Sequence, residues 1–318
     1  MSEQPGYPQP VTPFTLVGRL SIDGSDAYTT YGVWVDSGLG SLIQWPKMKA
    51  VTENDWQESD GVEADLSDPK LDSRELTLKF AMKECTVGHY NTFVNFLKST
   101  VYHSFVFNSL DGRTYSLRLI SYTGVEVFLG LGTIEVRFAD DFPLNGYTYT
   151  APSSTVASCD DYEIDGTLLT DYGVRVLKGS VDEIRKQGGI KEAMKRNIKV
   201  LSGVIYDAGA TNKYRSHDVR LKCLMRAETL AELWGCWDAL LYDLSQSGER
   251  VLYCKALDTS PAGTVVIPRP GEFKCYYKSC NVTSFYPTDK IWLEFTITLC
   301  FTYTSASTPV PADNNPYQ

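Results

Sequence analysis

At 318 residues, with 43% hydrophobic and 22% charged residues and a formal net charge of −9, the chain has the balance of a globular protein long enough for two domains. The acidic balance excludes an electrostatic grip on nucleic acid by the chain as a whole, which takes clustered Lys and Arg, and no run approaches the roughly 18 to 20 apolar residues of a membrane helix. Tyr occurs 20 times and aromatic residues reach 12%, a bias toward strands and half-buried contact surfaces.

Residues 1–13 carry neither a basic start nor an apolar run, so they are read as an arm and not as a secretory leader. The first element is the turn Ile22-Asp23-Gly24, followed by the strand Tyr31-Gly32-Val33-Trp34-Val35. A long loop comes next, through Leu42, Trp45, Lys47 and Lys49 into Asn54-Asp55-Trp56 and Asp60-Gly61, acidic in its second half. Residues 73–79 alternate apolar and polar as a strand with one buried face must. Tyr90, Phe93, Val94 and Leu97 then fall at helical spacing, and period two returns over residues 103–107, 115–119 and 133–138, with Asp111-Gly112 as a hairpin cue.

After the small-residue linker at 151–158 the order repeats. Ile164-Asp165-Gly166 stands 142 positions after the first Ile-Asp-Gly (164 − 22), and Tyr172-Gly173-Val174-Arg175-Val176 stands 141 after Tyr31 (172 − 31). Residues 216–222 match 73–79, Met225 matches Met82, and the helical positions Trp234, Trp237 and Leu241 match Tyr90, Phe93 and Leu97. Residues 251–254, 272–277 and 292–299 supply the closing strands. The sequence thus predicts a mainly β protein with one helix per domain: an arm at 1–13, a first domain at 14–142, a linker at 143–159, a second domain at 160–302 and a tail at 303–318 too polar to bury a core.

Three features carry a resemblance to the phage distal tail protein family and the baseplate-hub and tail-tube domains akin to it. They are the opening Asp-Gly with its Tyr-Gly-Val strand, residues 73–79 leading into the helix that ends near Leu97, and the strand 132–138 running into Asp141-Phe142-Pro143. The resemblance implies two tandem split β-barrel domains that join copies of the chain into a ring around a channel. DNA would cross that channel without being specifically bound, and the ring would connect tail tube to baseplate or tip. It implies a virion protein made in the host cytoplasm, with other tail-tube and baseplate proteins as partners and no membrane. Two copies per chain favour a trimer with pseudo-sixfold symmetry over a hexamer.

No motif points to catalysis, a cofactor or a metal. His89, His103 and His217 sit in no nucleophile-elbow, zinc-protease or triad-like setting. Cys275 and Cys280 lack the second close pair of a zinc site; the eight cysteines are read as reduced, with a Cys275–Cys280 disulfide left open. Trp34, Trp45 and Trp56 would serve a carbohydrate-binding adsorption protein, the alternative function, if they formed an exposed platform; core or interface is the commoner use. Residues 185–199 hold six basic side chains, read either as a solvated loop with a short helix or as a contact for DNA phosphates or a neighbouring acidic surface, the acidic loop of the first copy being one charge complement. In the resembled family the long loop reaches along the tube to the adjoining ring, so the resemblance makes Trp45, Lys47, Lys49, Trp56, Arg185, Lys186, Lys191, Lys195, Arg196 and Lys199 the candidate inter-subunit or inter-ring contacts.

Overall fold

The computed structural model describes residues 15–193, 195–206, 211–261, 269–287 and 290–302; the expected N-terminal arm and C-terminal tail lie outside them. In chain order the first copy builds β1 (Leu20–Ile22), β2 (Ser25–Asp26), α1 (Ala27–Tyr31), β3 (Val33–Ser37), the short pair β4 (Glu53–Asn54) and β5 (Glu63–Ala64), then β6 (Arg74–Met82), α2 (Val87–Leu97), β7 (Tyr102–Phe107), β8 (Arg113–Tyr122), β9 (Glu126–Phe128) and β10 (Leu131–Asp140). The second builds β11 (Tyr162–Ile164), β12 (Thr167–Leu168), β13 (Val174–Val176), α3 (Ser180–Arg185), β14 (Lys195–Arg196), β15 (Ile205–Tyr206), β16 (His217–Ala227), α4 (Leu230–Leu244), β17 (Arg250–Cys254), β18 (Glu272–Tyr286) and β19 (Ile291–Phe301). The protein is mainly β, with antiparallel pairs such as β7–β8 in the first sheet and β16–β19 in the second.

The two main sheets have one topology. The order is β2-β1-β7-β8-β10-β6-β3 in the first, with β9 on β10, and β12-β11-β17-β18-β19-β16-β13 in the second. Each position in the first list is the sequence counterpart of the same position in the second. Both sheets are open, ending on a two-residue strand at one side and a short strand at the other.

The copies also share their irregularities. In each Ile-Asp-Gly turn the aspartate and glycine both take positive φ, 49° and 79° in one and 49° and 82° in the other, the backbone of a type I′ hairpin. Asp23 Oδ1 accepts the Ser104 N–H at 2.8 Å and Oδ2 meets His103 Nδ1 at 2.6 Å; Asp165 Oδ1 accepts the Val251 N–H at 2.8 Å and Oδ2 meets Arg250 Nη1 at 2.9 Å. Each helix is capped alike, Thr86 accepting the His89 N–H and Thr229 the Glu232 N–H. A β-bulge recurs as well: Leu119 and Ser121 pair with Phe138 and Arg137, leaving Ile120 extra, while Tyr277 and Ser279 pair with Leu299 and Thr298, leaving Lys278 extra. The two sheets thus carry the same local devices at matching positions, which marks common construction.

One expectation needs correcting. Each copy has a second, short helix besides the long one: α1, whose N–H of Thr29 is capped by Asp26 and which ends on left-handed Gly32, and α3, with Asp182 and Glu183 in its first turn. Five or six residues are too few to show a helical period in sequence, and local capping decides them.

Contacts divide the chain into two compact units, residues 1–41 with 75–140 and residues 42–74 with 141–318. In the first, α2 lays Phe93, Val94 and Leu97 on the sheet, with Phe93 edge-on to Phe80 at 5.4 Å and Phe105 edge-on to Phe138 at 5.1 Å. In the second, α4 buries Leu233, Trp234, Trp237, Leu240, Leu241 and Leu244, with Trp237 edge-on to Phe295 at 4.8 Å. All eight thiols are free and six are buried; burial pushes Cys300 up to about 11.

Replacing Asp23 with Ala removes the acceptor of both the Ser104 N–H and the buried His103 ring. The expected loss is about 1 to 3 kcal/mol of stability, read as a lowered urea midpoint with an unchanged slope.

Candidate functional site

The long loops of the two copies are themselves matched structures. The first arm, residues 42–74, closes through the bridge Met48–Leu71 and the second, residues 186–215, through Ile190–Tyr214, so that Ile190 stands 142 positions after Met48 (190 − 48). The Lys49 N–H donates to Lys70 O at 2.8 Å and the Lys191 N–H to Lys213 O at 2.7 Å. Farther out β4 pairs with β5 and β14 with β15, two residues each, and the tips turn through Gly61 and Gly203, both at positive φ. At the base of the first arm the Arg74 guanidinium donates to Leu42 O at 3.0 Å and to Gln44 O. Its counterpart in the second copy is His217, packed on Phe301 at 5.5 Å, whose protonation burial disfavours.

Both arms belong to the second unit, where the first lies along the β18–β19 face. Its anchor is Trp45, whose ring sits 4.1 Å from that of Trp237 and edge-on to Tyr277 at 5.9 Å. The Trp237 indole N–H donates to Ile43 O at 3.1 Å, and the Tyr277 hydroxyl donates to Pro46 O at 2.6 Å. Gln44 answers the Val282 backbone twice, Nε2 donating to its carbonyl and Oε1 accepting its N–H, each at 2.8 Å. Then the Met48 N–H donates to Lys278 O at 2.9 Å, on the bulge residue, and the Val62 N–H to Thr302 O at 3.0 Å. Met48, Val51 and Ala64 pack on the buried cluster of Leu66, Tyr276 and Cys300, with the Tyr276 hydroxyl donating to Glu53. Burial holds the Tyr276 and Tyr277 phenols far above their usual range, so both remain donors.

The arms also meet each other. Lys191 extends a side chain only 3% exposed to Asp55 Oδ1 at 2.5 Å, Trp56 O at 2.8 Å and Gly61 O at 2.5 Å. Asp60 accepts the Tyr214 N–H at 2.8 Å and faces Lys213 Nζ at 3.6 Å, while the Gly61 N–H donates to Tyr214 O at 2.7 Å.

These placements correct two of the candidate contacts. Trp45 and Lys191, expected at inter-subunit or inter-ring contacts, are buried inside the second unit and touch its own residues. Trp45 is buried by its packing on Trp237, and Lys191 by the charge complement anticipated between the loops, realised within the chain. Lys47, Lys49, Trp56, Arg185, Lys186, Lys195, Arg196 and Lys199 are exposed. Of these, Lys186 pairs with Glu183, Lys195 with Glu192, and the Trp56 indole N–H donates to Glu63 at 3.1 Å. Trp34 rests edge-on against Tyr28 at 5.9 Å, so Trp34, Trp45 and Trp56 occupy three different settings. Sequence reasoning missed the receiving face altogether, namely Tyr276, Tyr277, Lys278 and Val282. Its one signal was the strand's unbroken Cys-Tyr-Tyr run, which departs from alternation because both faces are covered.

His89 Nδ1 lies 3.0 Å from Glu84 O and His103 is buried between Asp23 and Thr100. Among the described residues no three His, Cys, Asp or Glu side chains stand close enough together to hold a metal ion.

No protein-family model matches the chain, and no curated protein matches it. Among solved structures, the Dit (gp 19.1) protein of phage SPP1, titled a paradigm of the hub adsorption apparatus in phages infecting Gram-positive hosts, aligns with 90% of this chain and 98% of its own at 11% identity. The TM-score is 0.30, too low for the superposition to carry an inference about arrangement or role.

Trp45→Ala empties the main anchor of the first arm and is expected to cost about 3 to 5 kcal/mol, with the arm becoming sensitive to limited proteolysis. Trp56→Ala, at a side chain 55% exposed, is the control and should stay within about 0.5 kcal/mol. Lys191→Met leaves the Trp56 and Gly61 carbonyls without their donor. It should cost about 1 to 3 kcal/mol and speed amide exchange at Gly61.

Proposed function

We propose that this protein is a structural component of a phage tail or baseplate. In this reading its two copies are split-barrel domains of the tail-tube kind, and three chains close a ring with six domain positions around the DNA channel. The observation that carries the reading is the duplication itself. One strand order, one turn, one bulge and one arm occur twice in a single chain, which is what a part needs to offer the same contact at successive positions around an axis. The sequence features shared with distal tail and hub proteins supply the setting. The acidic balance suits a channel wall that must not retain a polyanion.

The ring would be non-enzymatic, with neighbouring tube and baseplate proteins on its two faces. Mass measurement of the purified full-length protein by native mass spectrometry or sedimentation checks this: a three-chain particle is expected, with a central hole in electron micrographs. A chain that stays monomeric at every concentration and in the presence of tail-tube protein would remove the proposal.

A further inference from the structure

The shared bulge sets the two sheets in register and shows what the first arm covers. Aligning Ile120 with Lys278 places Arg118 opposite Tyr276, Leu119 opposite Tyr277 and Tyr122 opposite Cys280. The alignment agrees with the neighbouring strands, since Phe105 pairs with Tyr115 and Leu252 with Phe273, and both Phe105 and Leu252 pair with the isoleucine of the Ile-Asp-Gly turn. In the second sheet Tyr276, Tyr277 and Cys280 are buried. In the first sheet the matching positions are less buried: Arg118 and Leu119 are half-buried, and Ile120 and Tyr122 are each 37% exposed.

The second arm is open in the complementary way. Val62 of the first arm is 7% exposed, whereas its counterpart Val204 is 42% exposed. Met48 packs against Tyr276, whereas its counterpart Ile190 is 59% exposed, and Tyr206, the counterpart of packed Ala64, is exposed too. Among the described residues, the second arm therefore has an apolar inner edge more exposed than its twin's, and the first sheet a strip at Leu119, Ile120 and Tyr122 less covered than its twin's, with Lys98 Nζ 4.7 Å over the Tyr122 ring. The second unit holds the worked example of how such an arm and such a face fit.

We infer that the second arm of one chain seats on the β8–β10 face of the first unit of a second copy, in the register in which the first arm seats on β18–β19. Ile190 takes the place of Met48, its N–H donating to the carbonyl of the bulge residue Ile120 as the Met48 N–H donates to that of Lys278. Val204 and Tyr206 cover the strip beside it, and an apolar edge is withdrawn from water on both partners. This rests on the self-assembly reading above and names its interface.

The second seat is the weaker one. Gln187 stands where Trp45 anchors the first arm, Phe93 where Trp237 receives it, and the Glu53–Tyr276 hydrogen bond becomes a Lys195–Arg118 pair of like charge. The contact is consequently reversible and concentration-dependent, whereas the first arm is held within its own chain.

The interface joins two different surfaces, and a mixing experiment with the full chain exploits that. Ile190→Asp spoils the arm and leaves the face; Ile120→Asp spoils the face and leaves the arm. Each variant alone is expected to sediment as a monomer with unchanged circular dichroism, and Val204→Asp to behave as Ile190→Asp does. An equimolar mixture of Ile190→Asp and Ile120→Asp retains a single intact arm-and-face pair, so it should form a dimer and nothing larger. If the wild-type chain assembles and both variants assemble equally well, or if the mixture stays monomeric while each variant is monomeric, this docking is wrong and the ring reading stands. A wild-type chain that never assembles overturns both.

Discussion

A two-stranded ribbon cannot hold itself together in water, and the first arm is such a ribbon for most of its length. Its own pairing amounts to one bridge and one two-residue ladder. What fixes it is the Trp45 indole laid against Trp237, with Gln44, Pro46 and Met48 hydrogen-bonded on to the β18–β19 face. These contacts fall in the second unit, so residues 42–74 belong to a unit whose other residues all follow residue 140. The second copy then needs the first copy's arm to finish its own surface: Tyr277 is fully buried and its hydroxyl ends on a carbonyl of that arm.

The pattern of divergence between the copies follows from this. Backbone devices are kept, since the type I′ turn, the helix cap and the bulge each hold an unusual conformation that any working copy requires. Side chains on the arms and on the faces beneath them are not kept. Tyr276 and Tyr277 correspond to Arg118 and Leu119, Lys278 to Ile120, Trp45 to Gln187. Two copies under identical surroundings would have no reason to part at these positions in particular. Surroundings differ here, because one face is covered within the chain and the other faces outward.

Much of the fold was legible because it is local. The constant offset exposed the duplication, alternation marked β6 and β16, and helical spacing picked out the residues that α2 and α4 bury. The turn Asp was visible as a turn residue, though not its grip on the next strand. Where the arms go was not legible. The spacing of Trp45, Met48 and Val62 is the same whichever sheet covers them, and the choice between faces is made by partners such as Gln44 and Val282, 238 positions apart. Lys191 is a related case: a lysine in a basic loop is expected at a contact between subunits or rings, and only the converging Asp55 carboxylate and two carbonyls of a distant loop make its burial within the chain tolerable.

One arm well anchored and one poorly anchored also sets an order of events. The strong seat lies within the chain, where the effective concentration of the partner is high and does not depend on how much protein is present, so it fills during folding. In the proposed docking the weak seat would fill only when chains meet. Had both arms carried Trp45-like anchors, freshly made chains would trap one another through second arms before first arms had found their places, and an exchanged assembly would be as stable as the intended one. On that proposal, Gln187 in place of the tryptophan would remove the competition at its source, so that folding would precede assembly by a difference in affinity alone.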